Sequence, residues 1–383
     1  MTPWKENKMK FKTFELERNM SVWENAVDYN LSESGVHPLT LKDVLTPEEL
    51  EEISGMELYY TEANGTVLLR ETVAAMYPGS TPDHVLITNG SAEANFLCTM
   101  TLLEPGDELI YMVPNYLQIG TLASSIGVGV KEIQLRPELN WQMDLDELNS
   151  LVTPKTKMIA VCTPNNPTGA IMSRESMAEV RRMADEHDLY LLSDEVYRGA
   201  ELSGVESPTV YSGREKDIVN SGLSKAYRLP GLRLGWSVTD PDTIWELWKL
   251  HDYTTISLGL VSDTVASKVL QPDRRKELLA GTHQFLKINL AMLTEWIESQ
   301  NGLFSFTQPE AAAIAFPKYH LDISSIELIE KIRDEKSVLI MPGKWFGVEQ
   351  HVRIGYGTPP DLLKKGLSLM EETLNSIREL DQA

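Results

Sequence analysis

The stretch SGLSKAYRLPGLRLGW, which runs from Ser221 to Trp236, joins an apolar segment to a loop rich in glycine and arginine. Lys225 lies in the first part of this stretch, next to Ser224, and Arg233 lies near its end. A single lysine is usually a solvated surface residue. A lysine amine whose pKa is lowered by its environment can instead form a Schiff base with an aldehyde. That role requires other residues that would hold the aldehyde.

Short apolar segments alternate with helical patterns over residues of about 65–260, which predicts a parallel sheet covered by helices on both faces. In an open parallel sheet, ligands bind at the carboxyl ends of the strands. Polar motifs with complementary chemistry follow several of these segments directly, and such a group indicates a binding site. The segments are HVLITNG (84–90), ELIYMVP (108–114), KMIAVCTP (157–164), LYLLSDEV (189–196) and DIVNSGLSK (217–225).

Groups suited to the ring of pyridoxal phosphate (PLP) follow three of these segments. Asp194 ends one predicted strand, where its carboxylate would keep a pyridine nitrogen protonated and make the ring an electron sink. Tyr197 and Asn166 could donate hydrogen bonds to the ring oxygen. Tyr116 could stack on the ring, although a tyrosine in the core is an equally good interpretation.

A phosphate group would find donors where a helix begins in TNGSAEANF (88–96). Free backbone N–H groups and the helix dipole make a helix N-terminus an anion site, although an ordinary helix start explains the motif as well. Ser224 and Arg233 would complete the phosphate site. The residues at the helix N-terminus are Gly90, Ser91 and Ala92. Together with Lys225, these groups predict PLP as the cofactor.

The motifs NNPTG, DEVY and SKAYRLPGLRLGW, in this order, resemble those of fold-type I PLP enzymes of the aspartate aminotransferase superfamily. The resemblance extends from about residue 30 to the C-terminus. It implies an α/β fold with a mainly parallel, seven-stranded-type sheet in a large domain and a small C-terminal α+β domain. We predict an N-terminal arm over the active site at 1–45, a large PLP-binding domain at 46–265 and a small domain at 266–383.

The resemblance also implies a role for each matching residue. Lys225 corresponds to the Schiff-base lysine, and Asp194 to the partner of the pyridinium nitrogen. Tyr60 corresponds to a tyrosine that reaches the phosphate of the neighbouring subunit, which implies a homodimer with composite active sites. Arg353 corresponds to the arginine that binds the substrate α-carboxylate. The other cofactor residues are Asn166 and Tyr197 at the ring oxygen, Gly90, Ser91, Ala92, Ser224 and Arg233 at the phosphate, and Tyr116 over the ring.

One position departs from the pattern of the superfamily. Three residues before the lysine, many relatives carry serine or threonine, whereas this chain has Gly222. Either Ser221 compensates for the missing hydroxyl or the phosphate site relies more on backbone donors.

The segment SESGVHPLT (32–40) resembles the corresponding part of the capreomycidine synthase and L-enduracididine-forming cyclase branch. The resemblance implies a substrate with a guanidinium group, which needs acidic partners. The candidates are Glu15 and Glu17 on a predicted arm helix, with Glu33 nearby; a solvated helix face is the competing interpretation for the first two. The other predicted substrate residues are Asn166, Arg353, Gly35, which permits close backbone approach, and His37, for which a loop or core histidine is the alternative.

We therefore expect a PLP-dependent cyclodehydratase that acts on a hydroxylated L-arginine, with the γ-hydroxy form favoured and the β-hydroxy form possible. Lys225 would remove the α-proton, the hydroxyl would leave, and the guanidine would close a ring to give a product such as L-enduracididine. The first alternative is an aminotransferase that passes an amino group to a 2-oxo acid. The second is a PLP-fold sensor or scaffold without activity, against which the lack of a basic helix argues.

Composition narrows the range of partners and compartments. The net charge of −21 over 383 residues argues against nucleic-acid partners and against binding to an anionic membrane. We find no signal-peptide pattern and no apolar run long enough to span a bilayer. The two cysteines, Cys98 and Cys162, form neither a disulfide framework nor a metal pattern and are expected to be buried apolar residues. We therefore expect a cytoplasmic enzyme without a metal.

Overall fold

An eight-stranded mixed sheet dominates the structure, a computed structural model that describes residues 11–381. Most of its strands are buried along nearly their whole length, which explains why they are continuous apolar runs in the sequence. The strands of the protein are β1 (Tyr29–Asn30), β2 (Val85–Thr88), β3 (Glu108–Val113), β4 (Gly129–Arg136), β5 (Gln142–Met143), β6 (Thr156–Cys162), β7 (Tyr190–Asp194), β8 (Asp217–Gly222), β9 (Gly235–Val238), β10 (Phe304–Ser305), β11 (Ile314–Ala315), β12 (Lys318–Tyr319), β13 (Val338–Leu339), β14 (Met341–Pro342) and β15 (Val352–Gly355).

The strand order of the large sheet is β2-β9-β8-β7-β6-β3-β4-β5. The five central strands from β8 to β4 pair in parallel, whereas β9 is antiparallel to both of its neighbours. In register, Asp194 at the end of β7 lies opposite Cys162 of β6 and Asn220 of β8. The predicted parallel sheet is thus confirmed, and the carboxyl ends of its strands meet along one edge.

The sheet has one strand more than the seven that the resemblance implies. Asn140 and Trp141 adopt positive φ angles of 54° and 60°, and the chain turns back on itself there. As a result, the two residues of β5 pair antiparallel with the end of β4, and Met143 faces the core.

Helices cover both faces of the sheet, and several begin at a residue whose side chain caps the free N–H groups. Ser173, for example, accepts a hydrogen bond from Ser176 N where the predicted helix after NNPTG begins. Among residues 11–381, no helix is long and apolar enough to cross a bilayer. The helices are α1 (Glu15–Trp23), α2 (Leu41–Val44), α3 (Pro47–Ser54), α4 (Val67–Ala74), α5 (Ser91–Leu102), α6 (Gln118–Ser125), α7 (Leu145–Leu151), α8 (Arg174–Glu186), α9 (Pro241–His251), α10 (Leu260–Val269), α11 (Pro272–Ser299), α12 (Ser325–Lys336) and α13 (Pro360–Asp381).

The C-terminal part packs small sheets against α11, α12 and α13. Its three-stranded sheet has the order β11-β15-β14, and β15 carries Arg353. The N-terminal arm joins this part of the molecule, because β1 pairs in parallel with β13. The arm then crosses β15 at close range: a Cβ atom added at Gly355 would lie 2.1 Å from the carbonyl oxygen of Glu33. The domain boundaries remain predictions, but these contacts lead the arm into the cavity between the large sheet and β15.

Candidate active site

A cavity of about 370 Å³ opens at the carboxyl ends of the central strands. Its walls come from α1, the arm segment after β1, the large sheet and β15. The site residues predicted from the sequence that line it are Glu17, Ser91, Ala92, Tyr116, Asn166, Asp194, Tyr197, Ser224, Lys225, Arg233 and Arg353. The structure therefore brings together residues from seven separate segments of the chain.

Lys225 forms an ion pair with Glu33, whose Oε1 atom lies 2.8 Å from the lysine Nζ atom. Burial acts to lower the pKa of Lys225, but the negative charges of Glu33 and Tyr197 outweigh it, and the net shift is upward. In this arrangement the pKa of Lys225 is therefore raised, not lowered. The charge of Lys225 in turn lowers the pKa of Glu33 to about 2. The two groups share the floor of the cavity as a charged pair.

Asp194 ends β7 and is held by two donors. Asn95 Nδ2 donates to its Oδ2 atom at 2.9 Å, and the backbone N–H of Val196 donates to Oδ1 at 3.1 Å. Burial raises the pKa of Asp194, while these hydrogen bonds and the charge of Lys225 oppose the shift. A positively charged partner in the cavity would thus be stabilised by this carboxylate.

Asn95 is a positioning residue that the sequence analysis missed. It lies on α5 one turn after Ser91, and its Oδ1 atom accepts a hydrogen bond from Asn220 Nδ2 at 2.9 Å. Asn220 is held in turn by Ser237, whose hydroxyl donates to Asn220 Oδ1 at 2.6 Å. The available signal was an asparagine next to the apolar residues of a predicted helix, in the motif TNGSAEANF.

The anion site forms where α5 begins. Gly90 caps the helix with a φ angle of 82°, and a Cβ atom there would lie 2.7 Å from Arg233 Nη2. The guanidinium of Arg233 therefore lies directly over the free N–H groups of the first helical turn. Its Nη1 atom is 3.4 Å from the hydroxyl of Ser224 and donates to Pro230 O at 3.1 Å. Backbone donors, a hydroxyl and a guanidinium converge here, as a phosphate group requires.

Gly222 cannot be replaced by serine or threonine without movement of the backbone. A Cβ atom at this position would lie 2.8 Å from Leu234 O and 3.1 Å from Gly235 Cα. The hydroxyl of Ser221 does not compensate, since it is buried and donates to Glu195 O at 3.1 Å. The structure therefore favours the explanation that the phosphate site relies more on backbone donors.

Gly222→Ser is expected to destabilise the protein by about 1–3 kcal/mol, because the new side chain overpacks the β8–β9 pair. The measurement is the thermal midpoint, compared with that of Gly231→Ser, where a Cβ atom meets no atom within 4 Å. A midpoint for Gly222→Ser equal to that of the control would contradict the close approach.

Arg353 is buried on β15 and points into the cavity. Its Nη1 atom donates to Asn166 Oδ1 at 3.0 Å, its Nη2 atom donates to Ser32 O, and its guanidinium lies 4.9 Å from the ring centre of Phe346. Within residues 11–381, its buried Nε atom has no hydrogen-bond partner. Burial lowers the pKa of Arg353. A carboxylate would supply the missing charge and acceptor.

Three carboxylates line the cavity together with Lys225 and Arg353: Glu17, Glu24 and Glu33. Glu17 accepts a hydrogen bond from the hydroxyl of Tyr116 at 2.7 Å. Burial raises the pKa of Glu24, and the charges of Glu33 and Glu17 add to the rise. Glu24 was missed in the sequence, because it lies one residue beyond the end of α1 and only the fold turns it inward.

Other predicted substrate residues lie elsewhere. Glu15 is exposed on α1 and lies outside the cavity, so of the two arm-helix candidates only Glu17 reaches it. His37 is also exposed; its backbone N–H donates to Gly357 O, and its carbonyl accepts from Arg228 Nε at 2.8 Å. Gly35 instead packs against the side chain of Lys225, since a Cβ atom at Gly35 would lie 3.4 Å from Lys225 Cδ. Tyr60 is 83% exposed and lies outside the cavity of its own chain.

The donor set of this cavity fits PLP. An anion site at a helix N-terminus, a buried carboxylate and a lysine line one cavity, and Asn166 and Tyr197 lie in the same wall. Ser91, Ser224 and Arg233 would hold the phosphate, and Asp194 would face the pyridine nitrogen. Cys98 and Cys162 are both buried and free, as expected.

Comparison with known proteins agrees with this chemistry. Residues 28–368 match the family described as aminotransferase class I and II. Capreomycidine synthase of Streptomyces vinaceus is 31% identical over 91% of this chain and 90% of its own length. Aspartate aminotransferase of Thermotoga maritima is 28% identical over 87% of this chain and 89% of its own length.

Solved structures show the same fold. The crystal structure of a PLP-dependent aminotransferase from Streptococcus suis superimposes with a TM-score of 0.90 at 33% identity, over 96% of this chain and 99% of that chain. The structure of the Thermotoga maritima aspartate aminotransferase superimposes with a TM-score of 0.82 at 27% identity, over 95% of this chain and 96% of that chain. The protein therefore belongs to the aminotransferase class I and II family and is a PLP-dependent enzyme of fold type I.

Proposed function

We propose that the protein is a cyclodehydratase that converts a hydroxylated L-arginine into a cyclic guanidino amino acid such as L-enduracididine. The γ-hydroxy form is the favoured substrate, and the β-hydroxy form is the alternative substrate. The observation that carries this proposal is the acidic wall, formed by Glu17, Glu24 and Glu33, which lines the cofactor cavity together with Lys225 and Arg353.

The acidic wall favours a substrate whose side chain is a cation. Glu24 has a pKa raised by burial and by its two acidic neighbours, so a positive charge placed there would relieve their repulsion. A guanidinium adds planar donors that match carboxylate oxygens. A second carboxylate on the substrate, as in aspartate, would meet three like charges. The similarity to capreomycidine synthase supports the same substrate class.

Each residue that lines the cavity has a separate role in the proposed reaction. Bound PLP supplies an electron sink that stabilises negative charge at the substrate Cα atom. Arg353 binds the α-carboxylate, and Lys225 Nζ removes the α-proton. Glu17 and Glu24 hold the guanidinium so that one nitrogen lies near the carbon that loses its hydroxyl. One molecule of water is released when the hydroxyl leaves, before the ring closes, and no 2-oxo acid takes part.

The decisive experiment is incubation of the purified holoenzyme with L-arginine and with its β- and γ-hydroxy derivatives, without any 2-oxo acid. We expect hydroxyarginine to lose the mass of one water, with the ring identified by NMR. L-Arginine, which has no leaving group, is the control. Conversion that depends on an added 2-oxo acid would contradict the cyclase proposal and favour the aminotransferase.

The aminotransferase is the second candidate, because the cofactor residues are common to both reactions. The similarity to the Thermotoga maritima aspartate aminotransferase supports it over nearly the same length of chain. The acidic wall argues against an acidic amino donor but permits a basic one. Only the dependence on a 2-oxo acid separates the two reactions.

Glu24→Gln is expected to lower kcat/KM for hydroxyarginine by about 10–100-fold, because a hydrogen bond to a charged group is lost. Glu15→Gln is the matched control on the same arm, since its exposed side chain lies outside the cavity. Steady-state kinetics with hydroxyarginine and with an uncharged analogue such as hydroxycitrulline separate charge recognition from general damage. An equal loss for both substrates would count against guanidinium recognition.

We also propose a cytoplasmic homodimer in which Tyr60 reaches the phosphate site of the partner. Tyr60 is surrounded in sequence by exposed apolar residues, of which Leu58 is 80% and Tyr59 is 67% exposed. Such a surface is typical of a protein–protein interface. Analytical ultracentrifugation should give twice the chain mass of 43.1 kDa, and a monomer would contradict this assembly.

A further inference from the structure

The ion pair between Glu33 and Lys225 is held in place by the backbone of the arm. Glu33 Oε1 lies 2.8 Å from Lys225 Nζ and also accepts a hydrogen bond from Gly35 N at 2.8 Å. Gly35 packs against the lysine loop, since a Cβ atom there would lie 3.2 Å from Ser224 O. The carboxylate is 47% exposed and the lysine side chain 23%, so the pair faces the open cavity. A bound substrate would therefore come close to both groups.

We propose that Glu33 exchanges protons with Lys225 and donates the proton with which the substrate hydroxyl leaves as water. This inference rests on the proposed function and adds a catalytic residue to it. It separates the role of Glu33 from that of the other two acidic-wall residues, which bind the guanidinium.

The contacts of the three carboxylates support this division. Glu17 is bound to the hydroxyl of Tyr116, and it is Glu33 that hydrogen-bonds to Lys225. Glu24 interacts with Lys225 only through charge. The charge of Lys225 changes the pKa of Glu24 less than burial does and less than the charges of Glu33 and Glu17 do. A proton can pass directly only between groups within hydrogen-bond reach, and Glu33 meets this condition.

The proton affinity of Glu33 follows the charge of Lys225. The charge of Lys225 is the largest cause of the low pKa of Glu33. Burial acts in the opposite direction, and the hydrogen bond from Gly35 and the charge of Arg353 lower the pKa by less. When the lysine becomes neutral, the main cause of the low pKa disappears, and the pKa of Glu33 rises from its low value. The pair can thus carry one proton back and forth, and the other titratable groups that act on it are Glu24, Tyr197, Asp194 and Arg353.

The proposed steps balance in atoms and electrons. The proton of the ion pair first passes from Lys225 to Glu33, which leaves a neutral amine. The Cα–H bond then breaks, its proton goes to Lys225 Nζ, and its electron pair stays with the substrate. The C–O bond then breaks, its electron pair leaves with oxygen, and the proton from Glu33 makes the leaving group water. A carbon–carbon double bond forms in the substrate chain, and a guanidine nitrogen adds to it.

Protons return in the second half of the reaction. The guanidinium loses one proton as its nitrogen forms the new C–N bond, and this proton restores Glu33. Lys225 returns its proton to Cα. When the hydroxyl is on Cγ, Lys225 would first pass the α-proton to bound PLP and then take a proton from Cβ before water departs. After ring closure Lys225 would return this proton to Cβ, and the α-proton would return to Cα. The net change is the loss of one water, without an oxidant or a reductant.

Glu33→Gln in the holoenzyme separates the two proton transfers. The exchange of the α-proton of L-arginine in D₂O, followed by NMR, reports removal of that proton without any dehydration. Release of water from hydroxyarginine, followed by mass, reports the step assigned to Glu33. We expect exchange to persist and water release to fall about 10²–10⁴-fold. Glu246→Gln, which removes an exposed carboxylate paired with Lys249, is the control.

A second measurement does not depend on turnover. In the full chain from which the cofactor has been removed, acylation of Lys225 is measured against pH by peptide mass spectrometry. In Glu33→Gln, the midpoint is expected to fall by about 1–3 pH units, because the opposing charge is gone. The Glu246→Gln control should show the wild-type midpoint.

The outcomes are distinct. If exchange and water release fall together, Glu33 only positions the lysine, and the proposal is overturned. Equal water release in Glu33→Gln and wild type, or an unchanged labelling midpoint, overturns it as well. If wild-type holoenzyme exchanges the α-proton but releases no water from hydroxyarginine, the proposed function fails, and the dehydration role of Glu33 fails with it. Only the last outcome is measured on the wild-type protein, so it distinguishes failure of the proposed function from failure of the role of Glu33 alone.

Discussion

Lys225→Ala is expected to lower kcat by at least about 10⁴-fold with every amino acid substrate, because no other amine can hold the cofactor covalently and remove the α-proton. Lys225 is the lysine that lines the cavity, and it lies in the same wall as Asp194 and Ser224. Activity and the absorption spectrum of the bound cofactor are the two measurements. The spectrum of the variant should be that of a PLP aldehyde bound without a covalent link.

Lys249→Ala is the control for Lys225→Ala, since the Lys249 side chain is 56% exposed and pairs with Glu246 far from the cavity strands. A spectrum of Lys225→Ala identical to that of the wild type would disprove the assignment of the cofactor lysine. Because this prediction concerns the cofactor alone, it holds for the cyclase and for the aminotransferase alike.

Arg353→Lys is expected to reduce kcat/KM by about 10²–10³-fold, equivalent to about 3–4 kcal/mol of lost binding to the α-carboxylate. An ammonium cannot replace the planar fork of the guanidinium, which Asn166, Ser32 and the Phe346 ring hold in one orientation. Kinetics with hydroxyarginine and with its decarboxylated amine provide the measurement. The variant should lose most of the preference for the substrate that carries the carboxylate.

The thermal midpoint of Arg353→Lys accompanies these kinetics, because Arg353 is buried and its replacement can also affect folding. Arg182→Lys, on the exposed face of α8, is the control for the exchange of arginine by lysine. If Arg353→Lys retains the wild-type preference for the carboxylate while folding normally, the α-carboxylate is bound elsewhere.

Much of the cofactor site follows from short stretches of sequence. Asp194 and Lys225 each lie at or just after the end of a buried apolar strand, and Gly90 precedes a helix that begins where another strand ends. Parallel strands bring their carboxyl ends to one edge of the sheet, so position along the sequence is enough to bring such residues together. For this reason the predicted cofactor residues meet in one cavity, except Gly90, which caps α5 just outside it, and Tyr60, which is expected to serve the neighbouring subunit.

The substrate side depends on the path of the arm, which local sequence does not determine. Glu15, Glu17 and Glu24 are close in sequence, but the orientation of α1 leaves Glu15 in solvent and turns the other two into the cavity. His37 is exposed because the segment around it follows β15 toward Gly357.

The sequence alone determined the fold class, the cofactor and the residues that would hold it, because these depend on strand ends and helix starts that local patterns mark. Only the tertiary structure decided which carboxylates face the substrate and that Glu33 pairs with Lys225, 192 residues away. Such a pair requires that β1 dock on β13 and that Gly355 and Gly357 let the arm pass close over them, and this long-range packing leaves no local pattern in the sequence.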